Sequence, residues 1–290
     1  MTPTAPSPTG ARRRRGGALV IAALMSLLVG GAADSTRHAA APGESQTVRM
    51  WTFLQPGPVA TDFDPGDIVS DEVFFDADAL GPLTVQAFLN ARVPVCQGGA
   101  VPCLRDYSED TAAIMGDEQC DGVPAGRQRS AAEIISTVAG ACGVNPAVLL
   151  VLLQKEQSLV TDPAPSERQF RSATGYGCPD TADCDSGLYG FAAQVYGAAW
   201  QFQRYRSPES SFDWYPVGET RDIRYSPGQG CGTAPVTIAN AATAGLYYYT
   251  PYQPNAAALA NLYGEGDACS ALGNRNFWRI FSIWFGDPRA

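Results

Sequence analysis

The sequence predicts an α+β fold, mostly helical, with a small antiparallel sheet and loops stapled by disulfides. Three observations lead there. Helical periodicity with recognisable caps recurs between residues 130 and 206 and again near the C-terminus. One short segment alternates as strands do. Eight cysteines stand in a chain that begins like an exported protein.

The N-terminus reads as an address. Arg12–Arg15 form a basic block, the apolar run from Ala18 to Ala32 is short, and Ala-rich cleavage options follow. This is the pattern of a secretory signal peptide, assigned to residues 1–41; an uncut anchor is the alternative. Removing it takes five arginines and Asp34 from the 20 basic and 29 acidic residues, leaving a net charge of −13. Phosphate backbones repel such a protein, so no nucleic-acid partner is expected. No stable membrane span is expected after cleavage.

Residues 42–60 form an aperiodic leader with Pro and Gly. Residues 61–290 are expected to make one secreted domain: an N-terminal lead over 61–129, a core over 130–206 and an aromatic-rich part over 207–290. In the lead, acidic turns lack EF-hand spacing and read as solvated turns. A short helix near Leu83–Ala91 follows them. In the core, Ser130 with Glu133 makes a capping box, and Gly143 ends that helix. Asn145-Pro146 supplies the cap and first residue of a second helix, to Leu159. Phe191, Val195, Ala199, Phe202 and Tyr205 mark a third, from about Gly187 to Arg206. Residues 211–227 read as two short strands around a turn, and the LYYYTPYQPN segment as an aromatic loop or strand end. Asn255 and Asn274 are expected to cap the last two helices, with Gly286 as the final stop.

The eight cysteines suit an oxidising compartment. Local economy favours Cys96–Cys103, Cys178–Cys184, Cys120–Cys142 and Cys231–Cys269. No CxxC pair occurs, so no metal site is expected. His38 is the one histidine and lies within the expected signal peptide, and Lys155 is the one lysine. Chemistry built on a catalytic histidine is thereby excluded, and no cofactor is implied. Carboxylates remain, which outside a cell favours glycosidic bond cleavage.

Glu156 is the principal candidate. At 100° per residue, Leu149, Leu152, Leu153 and Glu156 fall within about 100° of arc. A carboxylate on a leucine face in the last helical turn is disfavoured as a charge by both desolvation and the helix dipole, which suits a general acid. The alternative is an exposed helix-end carboxylate. Lys155, on the other side of the helix, is expected to be a solvated helix-end cation that complements the dipole. Asp180, in the Cys178–Cys184 loop, is a candidate second carboxylate; a turn role is its alternative. Tyr176, Tyr189, Tyr249 and Tyr252 are candidate saccharide contacts, because flat amphipathic rings stack on sugars.

The segments AEIISTVAGACGVNPAVLLVLLQKEQSLV, GYGCPDTADC and YGFAAQVYGAAWQFQRY together resemble the lysozyme-like superfamily, particularly lytic transglycosylases and related peptidoglycan glycosidases. Gly143, Val144, Pro146, Leu149 and Leu150 match its phrase before the catalytic acid, and Glu156 takes the acid's place. The resemblance implies a lysozyme-like helical core and a single glutamate serving as acid and then base. Gln157 stands where the transglycosylase pattern has Ser, so hydrolysis and transglycosylation both stay open. The whole chain also looks like secreted actinobacterial proteins labelled haemagglutinin-like, which implies surface binding without turnover. The expected partner is peptidoglycan or another cell-surface polysaccharide, met by a secreted, monomeric protein at the cell wall.

Overall fold

The computed structural model describes residues 57–179 and 183–290; the expected signal peptide and most of the leader lie outside them. Its organising element is the helix that the sequence marks as apolar nearly all round. Asn145 Oδ1 accepts the Ala147 N–H at 2.8 Å, Pro146 occupies the first turn, and the helix Pro146–Gln157 (α4) follows. Every residue from Pro146 to Leu153 is buried. A helix without a polar face must be covered on all sides. Before it, Ala131–Cys142 (α3) is introduced by the Ser130/Glu133 capping box and closed by Gly143 at φ +60°, a left-handed cap that glycine adopts at no steric cost.

Four other helices complete the shell. Pro82–Arg92 (α2) and Phe191–Arg206 (α6) pack on α3, Ala241–Tyr249 (α7) packs on α6, and Gly273–Phe285 (α9) packs on α4. Phe277, Trp278, Phe281 and Trp284 place the buried stripe of α9 at helical spacing. Short helices Asp71–Phe74 (α1), Glu167–Arg171 (α5) and Ala256–Ala260 (α8) link these elements. The last is capped by Asn255, whose Oδ1 accepts the Ala258 N–H at 2.8 Å. No helix among the described residues is long and apolar enough to cross a membrane.

The fold is α+β and mostly helical, with four disulfides paired as the spacing suggested: Cys96–Cys103, Cys120–Cys142, Cys178–Cys184 and Cys231–Cys269. The sheet differs from expectation. Two separate antiparallel pairs occur, Ser108–Thr111 (β1) with Gly126–Ser130 (β2) and Thr220–Arg224 (β3) with Thr233–Thr237 (β4). Segment 211–227 therefore supplies one strand, not two, and its partner carries Pro235 at its centre, which argues against a strand in the sequence.

Three helix boundaries also differ. LYYY is the end of α7, not a loop: Asn240 Oδ1 accepts the Thr243 N–H at 2.8 Å and the small residues after it extend the helix. The third core helix begins at Phe191, where Glu109 Oε1 of β1 accepts the Ala192 N–H at 2.8 Å. Asn274 is inside α9 and buried; its amide donates to the Thr250 and Tyr252 carbonyls at 2.9 and 3.0 Å, fastening the end of α7 to α9.

Candidate active site around Glu156

Ser158, at φ +57°, turns the chain out of α4, so Glu156 sits in the last helical turn. Leu149, Leu152 and Leu153 on its face are fully buried. The Glu156 side chain retains 26% of its exposure, which places it at a boundary: reachable from solvent, yet rooted in the core.

Lys155 corrects the expectation of a solvated cation. Its side chain is only 6% exposed and its ammonium forms an ion pair with Glu156 Oε1. The Nζ also donates to Thr250 Oγ1 at 3.2 Å and lies 5.8 Å from the centre of the Tyr249 ring. The cause is tertiary. The C-terminal end of α7 covers the side of α4 that the helical wheel alone leaves open. The pair offsets the cost of a carboxylate at a helix C-terminus.

On the other side of the carboxylate runs the turn Thr174–Gly177. Gly175 adopts φ +74°, and a Cβ built there would lie 3.7 Å from Glu156 Oε2. The buried Gln194 of α6 holds this turn in place. Its amide donates to the Tyr176 and Leu188 carbonyls, both at 2.8 Å, while Thr174 Oγ1 donates to the Gln194 carbonyl at 2.8 Å. This positioning group escaped the sequence reading, although a glutamine flanked by apolar residues in FAAQVYGAAW was a visible signal.

Tyr249 joins the cluster as a wall. Its hydroxyl donates to the Thr174 carbonyl and its ring stacks on Phe202 at 5.1 Å. Burial, then the charge of Glu156, push its hydroxyl well above the usual tyrosine range. Tyr176 lies against Gly197 of α6, where any Cβ would collide with the ring. Burial raises its hydroxyl, while nearby Arg204 acts the other way.

Tyr189 and Tyr252 are not brought into contact with this cluster. The Tyr189 hydroxyl donates to the Cys184 carbonyl at 3.4 Å with Arg171 over its ring, and Tyr252 is tied through its backbone to Thr250 and Asn274. Neither makes a hydrogen bond, ion pair or ring contact with Glu156, Lys155 or Tyr249 among the described residues. Asp180 lies outside the described residues. Asp185, just past that ring, serves as a turn residue, accepting the Gly187 N–H at 2.9 Å. Among the described residues, the grouping with metal-ligand proximity is Cys96, Cys103 and Asp106. Its sulfurs form a disulfide, which removes the thiolates a metal needs.

Comparison with curated proteins and with solved structures finds no match. A family model described as "LasA, N-terminal domain" matches residues 68–290, which takes in every element from α1 to α9. The chain belongs to the family of LasA N-terminal domains.

Proposed function

We propose that the protein cleaves the glycan strand of peptidoglycan, with Glu156 as general acid and then base. The observation that carries this reading is a carboxylate rooted in the core, 26% exposed, between a glycine turn and a tyrosine wall. The four disulfides and the LasA-type domain are consistent with a secreted protein, so the substrate is one met outside the cell.

In the proposed reaction, the Glu156 carboxyl gives its proton to the glycosidic oxygen as the bond to the anomeric carbon breaks. The resulting carboxylate then removes a proton from water, or from a hydroxyl of the same sugar. That oxygen bonds to the anomeric carbon, and Glu156 regains its proton. Water yields a reducing end; the internal hydroxyl yields an anhydro sugar. For the first step the Glu156 carboxylate must leave the Lys155 ammonium and take up a proton from solvent, so substrate entry and release of that ion pair are coupled. Gln194 and Thr174 keep the facing turn fixed while this happens.

A second reading, wall binding without turnover, draws on that same ion pair: a carboxylate satisfied by a lysine can be a purely structural element. Loss of turbidity of purified cell walls separates the two. Clearing by the wild type and none by a folded Glu156→Gln variant supports the enzyme. Wall binding by the wild type without clearing supports the second reading.

A further inference from the structure

A cleft of about 520 Å³ opens beside the C-terminal half of α6, lined among others by Asp117, Glu118, Trp200, Arg204, Glu209 and Ser210. That volume is within the usual range of small-molecule sites. Gly197, Trp200 and Arg204 fall within about 60° of arc on α6, so the cleft continues the face on which the Tyr176 ring rests. The Glu156 turn therefore leads through Tyr176 to Trp200.

The cleft is built from groups held in place. The Trp200 indole N–H donates to Asp117 Oδ2 at 2.7 Å, and Asp117 Oδ1 accepts the backbone N–H groups of Gln119 and Cys120 at 2.8 and 3.2 Å. Arg204 lies between two rings, 5.5 Å from the centre of Trp200 and 5.4 Å from that of Phe212. Among the described residues it forms no ion pair, so its N–H donors stay available to a ligand.

Three carboxylates against one guanidinium disfavour an anion, and the guanidinium in their midst disfavours a simple cation. Fixed acceptors, free donors, serine hydroxyls and a tryptophan suit a neutral polyol, whose hydroxyls both give and accept hydrogen bonds. We infer that this cleft is a saccharide subsite holding a neutral pyranose unit of a glycan strand at a distance from Glu156. The choice of a glycan rests on the function proposed above, but the test does not require cleavage.

The test is calorimetric titration of the full, disulfide-bonded chain with an N-acetylglucosamine hexamer. The wild type is expected to bind, and Trp200→Ala and Arg204→Ala each to weaken binding at least about tenfold. Arg204 is exposed, so its variant decides the matter if Trp200→Ala fails to fold. Unchanged affinity in the folded variants, or no binding by the wild type, overturns the inference. Binding of a wall stem peptide in place of the hexamer overturns it as well. Hexamer binding that depends on Arg204, in a wild type that releases nothing from walls, leaves the subsite standing and removes the glycosidase reading.

Discussion

Two buried basic side chains among the described residues, Arg275 and Lys155, have surroundings that differ in kind. Arg275 of α9 is 2% exposed and has no carboxylate partner among the described residues. Its Nη1 donates to the carbonyls of Ala258, Asn261 and Gly264 at 3.0, 2.8 and 2.9 Å, and its remaining donors reach Asn276 Oδ1. These carbonyls close a short helix and the turn after it, where a cation is favoured. Lys155 instead faces a carboxylate that is itself open to solvent. One site is complete and closed, so it serves the fold. The other holds a charge that a ligand can reach, so it can serve chemistry.

That contrast is testable, beginning with the largest effect. Glu156→Gln should lower wall-degrading kcat by about 10²- to 10⁴-fold, the usual contribution of a general acid-base, with little change in thermal midpoint. Arg275→Met should do the opposite. It strands buried carbonyls and should cost about 3 kcal/mol in denaturant unfolding, while activity per folded molecule holds. Ser130→Ala removes the cap of α3 at a cost of about 1 kcal/mol, measured the same way. Lys155→Met should cost less than about 1 kcal/mol, because Glu156 can hydrate once its partner is gone. A stability loss as large as that of Arg275→Met would place Lys155 with the structural cations.

A pH titration sharpens the same contrast from the tyrosine wall. Burial pushes the hydroxyl of Tyr205 up to about 12 and that of Tyr249 well above the usual range. In the unfolded chain both ionise near 10. The stability they contribute is complete below about pH 10 and is lost as pH rises through the folded values. Tyrosinate absorbance should therefore stay incomplete above pH 10 and rise with unfolding, and Tyr249→Phe should reduce the alkaline loss. Full tyrosinate absorbance near pH 10 with the fold intact would contradict the buried wall.

What could be read in the sequence was local. A capping box needs residues three apart, a Pro-introduced helix needs two adjacent ones, and short disulfides need only nearby cysteines; all of these stand in the structure as expected. The depth of α4, and Glu156 at its end, followed from an unbroken apolar run. What escaped depended on distant partners. Strand β4 exists because β3 pairs with it, and α9 starts earlier than a cap at Asn274 implies because that amide is needed by Thr250 and Tyr252. Burial of Lys155 comes from α7, some 90 residues later in the chain. Of the four candidate tyrosines, Tyr176 and Tyr249 gather near Glu156, while Tyr189 and Tyr252 are occupied in contacts that no spacing rule reveals.

The most direct measurement is of the soluble products freed from purified peptidoglycan, resolved by mass spectrometry for wild type and Glu156→Gln at equal wall occupancy. Glycan cleavage by Glu156 should give fragments with reducing or anhydro ends from the wild type alone. Equal release by both proteins, or fragments cut only in the peptide, would contradict it.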